Sequence, residues 1–237
     1  MLTIAVLYPD LLGTYGDGGN ARVLAVRARA RGLAAEVLEV TIGAPIPPAS
    51  IYLLGGGEDG PQRLACDLLA EGGFVERVDE GAAVLAVCAG LQILGRSFAI
   101  EGDASYPGLG LIDAVTTRGP ARSVGDMASN VDGRLLVGFE NHGGVTVLGP
   151  QARPLGEMVV GRGNDGRRDG FRATRLWGTY AHGPVLAQNP WFADEVLAEL
   201  AGEPLAPWPS VADRLYEERC ALLSTRQADG DRSRGRH

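Results

Sequence analysis

Ala82-Ala83-Val84-Leu85-Ala86-Val87-Cys88-Ala89-Gly90-Leu91-Gln92-Ile93-Leu94-Gly95 decides the fold of this chain. An unbroken apolar run is the pattern of a strand buried on both faces, and in a parallel sheet such a strand stops at the carboxyl edge, where Cys88 stands. Ala86, Ala89 and Gly90 keep the turn around the cysteine free of bulky side chains, so the strand can pass at once into a helix and present the sulfur, as in a nucleophile elbow. A helix starting at Ala89 aims its free N–H groups and the positive end of its dipole at that sulfur, which is expected to favour the thiolate. The competing reading is a buried structural cysteine, a common fate of free thiols. The strand, the small residues and the helix start together weigh against it.

Working outward, the first half of the chain alternates between strand and helix patterns. Leu2–Leu7, Ala35–Val40, Ile51–Leu54 and Ala83–Val87 read as strands. Asn20 is expected to cap a helix whose Ala21, Leu24, Ala25 and Ala28 face the core while Arg22, Arg29 and Arg31 face water, with Gly32 as its stop. Further helices are expected at 61–70, 189–200 and 211–223. Such alternation predicts an α/β fold with a mostly parallel central sheet and helices on both faces. Residues 108–179 are rich in Gly, Val and Thr and are expected to form short strands with long loops. Residues 1–226 are expected to form one domain and the polar segment 227–237 a disordered tail.

Composition removes several classes of function. The 29 acidic residues outnumber 22 basic ones, all arginine, giving a net charge of −7, which argues against nucleic acid as the main partner. Without lysine there is no Walker-type phosphate loop and no Schiff-base chemistry. The cysteines at 66, 88 and 220 have no C-x-x-C spacing, so neither a zinc knuckle nor a disulfide framework is indicated, and no metal site is expected. No signal-peptide pattern and no long apolar stretch is present, so a cytoplasmic protein is the expectation.

Four segments then carry a family resemblance. Cys88-Ala89-Gly90-Leu91-Gln92 resembles the C-x-G-x-Q signature of class I glutamine amidotransferases, and Ile93-Leu94-Gly95 the continuation found in their cobyric-acid-synthase-like (CobB/CobQ-like) branch. Ile51-Tyr52-Leu53-Leu54-Gly55-Gly56-Gly57-Glu58-Asp59 resembles the strand and glycine-rich oxyanion loop of that family. Gly138-Phe139-Glu140-Asn141-His142-Gly143-Gly144 resembles its E-x-H-x-G segment, and Gly178-Thr179-Tyr180-Ala181-His182-Gly183-Pro184 its catalytic-histidine segment. The opening Tyr8-Pro9-Asp10-Leu11-Leu12-Gly13-Thr14-Tyr15-Gly16-Asp17-Gly18-Gly19-Asn20 is similar to that of the stand-alone glutaminase subunits of lipid II isoglutaminyl synthases. The resemblance implies the flavodoxin-like amidotransferase fold.

It also implies roles. Cys88 is the expected nucleophile and His182, which follows Leu176, Trp177 and Tyr180 and precedes an abrupt Gly-Pro turn, the expected general acid and base. Backbone N–H groups of Gly56, Gly57 and Ala89 are expected to form the oxyanion hole. Arg122 matches by position the family arginine that holds the glutamine α-carboxylate, against a plain reading as a solvated surface arginine, and Gln92 is a further candidate contact. Two roles are open to His142, lining the site or holding Glu140 and its loop. Many relatives carry a glutamate two positions after the histidine, where this chain has Pro184, so the expected third member is an acid of a partner subunit or, internally, Glu140.

The expected activity is hydrolysis of L-glutamine to glutamate and ammonia. In the resembling complexes the ammonia passes to a Mur-ligase-like, ATP-dependent partner in a heterodimer, which amidates the D-glutamate of lipid II to D-isoglutamine in peptidoglycan biosynthesis. The amidotransferase pattern starts at Met1, so no cofactor is expected on this chain, ATP and Mg are expected on the partner, and the inner face of the membrane is reached only through that partner's lipid-linked substrate. The alternatives are an amidotransferase of cobalamin biosynthesis, a DJ-1-like cysteine-elbow hydrolase, and a catalytically silent regulatory subunit.

Overall fold

The computed structural model describes residues 1–234. In chain order its elements are β1 (Leu2–Leu7), α1 (Pro9–Leu12), α2 (Gly19–Arg29), β2 (Ala35–Val40), β3 (Ile51–Leu54), α3 (Asp59–Glu71), α4 (Phe74–Asp79), β4 (Ala83–Val87), α5 (Ala89–Leu94), β5 (Ser97–Ala99), a 3-10 turn at Glu101–Asp103 and β6 (Ser105–Pro107). There follow β7 (Ala114–Val131), β8 (Arg134–Leu148), β9 (Gly156–Val160), β10 (Arg168–Asp169), β11 (Phe171–Ala173), β12 (Leu176–Thr179), α6 (Val185–Gln188), α7 (Pro190–Ala201) and α8 (Val211–Arg234).

Six strands form one sheet in the order β2-β1-β3-β4-β12-β11, parallel throughout except for the edge strand β11. The central strands β3 and β4 are buried along their whole length, which is why their sequences are continuously apolar. Ile4, Leu7, Tyr52, Val84, Leu85 and Trp177 from the sheet meet Leu24, Phe74 and Phe192 from the helices in one apolar core. The α/β fold with a mostly parallel sheet follows the sequence expectation. The carboxyl ends of β1, β3, β4 and β12, four adjacent parallel strands, share one edge, and their loops meet there.

A second sheet, not anticipated, runs β10-β9-β7-β5-β6, with β8 paired to β7. The expectation of short strands across 108–179 is corrected by β7 and β8, which are 18 and 15 residues long. They form one antiparallel hairpin whose Ala114-Val115-Thr116-Thr117 alternates buried and exposed. The Gly119-Pro120 pair that reads as a strand break falls inside a register irregularity between Arg118 and Ser123, so the ladder resumes beyond it.

Two expectations for α2 also change. Asn20 lies inside the helix and its Oδ1 accepts the Leu186 N–H at 2.9 Å, so it ties two segments together rather than capping. Arg31 does not face water: its side chain is 5% exposed and, with the 4% exposed Arg27, converges on Asp194. Arg27 grips Asp194 through Nε and Nη2, both at 2.6 Å, Arg31 adds a contact at 2.7 Å, and Trp208 lies against both guanidiniums. At the other end, α8 continues past 223 to Arg234, into the segment expected as a tail, where Arg, Gln and Ala are good helix formers. Residues 235–237 of that segment lie outside the described residues.

The Arg27–Asp194–Arg31 cluster generates a stability prediction. Asp194→Ala leaves two buried guanidiniums without their carboxylate and should cost about 3 kcal/mol, read as a lower urea midpoint at unchanged m-value. Loss of less than about 1 kcal/mol would show that solvent at the partly exposed Asp194 already screens the pair.

Candidate active site

Cys88 stands directly after β4 with φ 52° and ψ −104°, a strained conformation for a non-glycine residue. Its N–H donates to the Thr179 carbonyl at 2.9 Å and its carbonyl accepts the Gln92 N–H at 3.0 Å, so the neighbouring strand and the first turn of α5 both hold the elbow. Gly90 is required here: a Cβ at that position would lie 2.6 Å from Leu54 Cβ, which shows how closely α5 crosses the end of β3.

His182 follows β12 and is fixed by reciprocal backbone hydrogen bonds with Phe139. The preceding turn is organised by the buried Asp169, which accepts from Thr179 Oγ1 at 2.6 Å and from the Tyr180 N–H at 3.0 Å. The His182 Nδ1 lies 2.9 Å from Asp17 Oδ2, with both side chains 2% exposed. Asp17 belongs to the glycine-rich loop that leads from β1 to α2, and the same Oδ2 accepts the Gly56 N–H at 3.0 Å. Gly56 also lies under the imidazole, where a Cβ would come 2.5 Å from His182 Cε1.

A cavity beside the elbow is lined by Gly57, Cys88, Ala89, Gln92, Arg122 and Asn141, among others. Arg122 arrives from the β7 irregularity, which turns its side chain toward this cavity; Nε donates to Asn141 Oδ1 at 2.6 Å and Nη2 to the Tyr15 hydroxyl at 2.9 Å. The carboxamide of Gln92 is held at both ends, accepting from Gln62 Nε2 at 3.0 Å and donating to the Tyr180 hydroxyl at 3.1 Å.

With this geometry in view, the comparisons with known proteins agree. Residues 3–190 match the model of the CobB/CobQ-like glutamine amidotransferase domain. The chain belongs to the CobB/CobQ-like glutamine amidotransferases. It is 34% identical over 216 residues to the lipid II isoglutaminyl synthase (glutamine-hydrolyzing) subunit GatD of Staphylococcus aureus, covering 87% of this chain and 88% of that one. A similar match to the same subunit of Streptococcus pneumoniae is 33% identical and covers 79% and 76%. The cobyric acid synthase of Pelotomaculum thermopropionicum is 32% identical over 77% of this chain, which spans only 37% of that enzyme. Among solved structures, a glutamine amidotransferase with TM-score 0.56 and 21% identity covers 84% of this chain and 98% of the other, and supports the fold.

For this amidotransferase the structure corrects three expectations about the site. Glu140 does not reach His182. It accepts from the N–H groups of Arg162 and Gly163 and stands 3.3 Å from His142 Nε2, so the E-x-H segment is internally paired. Burial opposes the charge on Glu140, but the His142 and backbone hydrogen bonds outweigh it and hold its carboxyl below the usual value. The acid beside His182 is instead Asp17, which sequence reading missed; the available signal was a carboxylate in the glycine-rich stretch between the short α1 and α2, on the connection that leaves the carboxyl end of β1. The Gly56 N–H, expected in the oxyanion hole, is taken by Asp17, while Gly57 and Ala89 line the cavity beside Cys88.

The third correction is electrostatic. Burial pushes the Cys88 thiol up to about 12, the nearby Asp17 charge pushes the same way, and the Ala89 N–H and Arg122 oppose them without prevailing. The helix start therefore acts on the sulfur as expected from sequence, but the desolvation of a buried thiolate is larger. A thiol in this state needs a base. Since the acid at Nδ1 fixes the proton there, the Nε2 of a neutral His182 is an acceptor, and among the described residues it has no hydrogen-bond partner.

It follows that ligand-free Cys88 should react with iodoacetamide at pH 8 about a thousandfold more slowly than a thiol of ordinary pKa, and the rate should still be rising above pH 10. Peptide mapping by mass spectrometry across pH measures this. A reaction limb with its midpoint near pH 7 would mean that the sulfur is already a thiolate.

Proposed function

We propose that this amidotransferase hydrolyses L-glutamine to glutamate and ammonia with Cys88 as nucleophile, His182 as acid and base, and Asp17 as the residue that orients His182. The single observation that carries the reading is the buried 2.9 Å contact of His182 Nδ1 with Asp17 Oδ2 at the edge of a strained cysteine elbow. Cys88 gives its proton to His182 Nε2 as the sulfur attacks the amide carbonyl carbon. The N–H groups of Gly57 and Ala89 meet the negative charge that grows on the oxygen. His182 then returns the proton to the leaving nitrogen, ammonia departs, and a thioester remains. Water, deprotonated by His182, attacks the thioester; glutamate leaves and the thiol is restored. Arg122 holds the substrate α-carboxylate, for which a guanidinium is suited.

The ammonia is used by a separate subunit. The S. aureus relative, spanned by this chain over 88% of its length, is named as a subunit of a glutamine-hydrolysing lipid II isoglutaminyl synthase, which supports the same place for this chain. In that reading a Mur-ligase-like partner binds ATP and Mg and amidates the D-glutamate of lipid II. In the same reading the lipid-linked substrate is met through the partner; no helix among the described residues of this chain is long and apolar enough to cross a membrane. An orienting acid from that partner is not required, since Asp17 already occupies Nδ1.

Ammonia release from L-glutamine, measured with the chain alone and with the ligase that co-purifies with it, tests the function. Release should be abolished by Cys88→Ala with folding and partner binding retained; turnover that survives this change would sink the mechanism.

Asp17→Asn separates orientation from electrostatics. Without the carboxylate, His182 loses its fixed tautomer, and kcat should fall by about 10²–10⁴-fold, the range by which an orienting aspartate matters in hydrolytic triads. Removing the same charge lowers the Cys88 pKa, so iodoacetamide labelling at pH 8 should become faster. Slower turnover together with faster labelling is the expected signature. Glu140→Gln, with the reverse outcome of lost turnover while Asp17→Asn is harmless, would return the third role to Glu140.

A further inference from the structure

The loop that carries Asp17 also carries Tyr15, which joins three parts of the site. Its ring lies against the imidazole of His182, with centroids 4.4 Å apart and planes at 47°. Its hydroxyl accepts from Arg122 Nη2 at 2.9 Å and donates to Glu58 Oε1 at 3.3 Å. The missing Cβ of Gly56 makes room for it, because that atom would come 2.8 Å from Tyr15 Cδ2. Two residues further on, Asp17 meets Nδ1 at the edge of the same imidazole.

Arg122 is therefore not a free cation awaiting a ligand. Nε is engaged by Asn141, Nη2 by Tyr15, and Glu58 stands 3.9 Å away. A carboxylate that takes the guanidinium side-on, through its Nε–Nη2 edge, must share or displace the Tyr15 hydroxyl, since that edge is already engaged by Asn141 and Tyr15. The hydroxyl then falls back on Glu58 alone, and the ring it steers is the one packed on His182. Between Tyr15 and Asp17 stands Gly16 at φ +74°, a conformation open to glycine, so that ring and carboxylate can approach the imidazole from one short turn.

We propose that Tyr15 is a positioning residue that couples arrival of the substrate carboxylate at Arg122 to the setting of His182. The hydroxyl senses the guanidinium and the ring transmits the change to the imidazole. This rests on the functional reading above, in which Arg122 takes a carboxylate and His182 moves a proton. Tyr15→Phe removes the sensor and keeps the ring.

Two measurements test the coupling. In the complex with its co-purified ligase, Tyr15→Phe should lower KM for L-glutamine about three- to tenfold, the net scale of one hydrogen bond, because the carboxylate no longer displaces the hydroxyl, and should lower kcat by more than about twofold, because arrival at Arg122 no longer sets His182. Combined with Arg122→Ala it should add nothing to the effect of Arg122→Ala alone. Separately, the chain has only three histidines, so the ring nitrogens of His182 can be followed by NMR in Cys88→Ala protein, which cannot turn over. L-Glutamine should shift them, and the shift should vanish when Tyr15→Phe is added. Equal shifts with and without the tyrosine hydroxyl, an unchanged KM, or additive effects with Arg122→Ala would each overturn the coupling. A parent enzyme that hydrolyses glutamine without any His182 response would overturn it while leaving the functional reading intact. A parent that neither hydrolyses glutamine nor responds would overturn that reading itself.

Discussion

Parallel pairing of β4 with β3 on one side and β12 on the other, and of β3 with β1 beyond, sets every other feature of the site. Parallel strands direct all their carboxyl ends to the same edge. The loops after β1, β3, β4 and β12 hold Asp17, Gly56 and Gly57, Cys88, and His182 in turn. Residues 17 and 182 stand far apart in the chain, yet their side chains meet at 2.9 Å because the strands that precede them are separated by only two others. Backbone hydrogen bonds then fix what the sheet brings together: the Cys88 N–H is bound to the end of β12, and the Gly90 N–H to the carbonyl of Gly55.

The same arrangement buries Asp17, Cys88 and His182, and burial has a cost for each charged group among them. Burial and the charge of Asp17 both push the Cys88 thiol up, against the Ala89 N–H and Arg122. Asp17 thus touches both groups: it meets Nδ1 of His182 at 2.9 Å, and its charge pushes the Cys88 thiol up. In the mechanism proposed above, proton transfer and attack would be favoured together, at the moment when the amide carbonyl offers a place for the electrons. A buried thiolate formed in advance would be exposed to oxidants and alkylating agents without substrate present.

The second sheet adds the specificity side. The β7–β8 hairpin passes over the carboxyl edge of the first sheet and delivers Arg122 from an irregularity in its ladder and Asn141 from the facing strand. Beneath it, Gln62, Gln92, Tyr180, Thr146 and Thr116 form a chain of buried hydrogen bonds, and His142 stacks on Tyr180 at 3.9 Å. Each of these polar groups has its partner, so the hairpin is seated in a definite position on the core. His142 meets both expectations: it lines the cavity beside Cys88, and it is packed on the core and paired with Glu140, with Nδ1 3.0 Å from the Gly144 carbonyl. The Glu140 and His142 pair stiffens the hairpin.

Local sequence determined what local physics controls. A continuous apolar run can only be a buried strand, small residues around Cys88 can only serve a tight turn, and the alternation of such runs with amphipathic stretches prescribes a parallel sheet with its elbow at the carboxyl edge. The strands β1 to β4 and the cysteine elbow were legible for that reason, whereas His182 and Arg122 were singled out by resemblance to the family's segments. What the sequence left open depended on distance in the chain. Asp17 is one acid among 29 and sits in a loop with no periodicity, so only strand order could show that it meets His182 and occupies the Gly56 N–H. Gly119 and Pro120 look like a strand end until the partner strand is known, because a ladder can step over a bulge that one strand alone cannot reveal. The ionisation of Cys88 was decided last and by tertiary structure alone: the helix start is written in the local sequence, whereas the burial that outweighs it is the sum of everything packed around the sulfur.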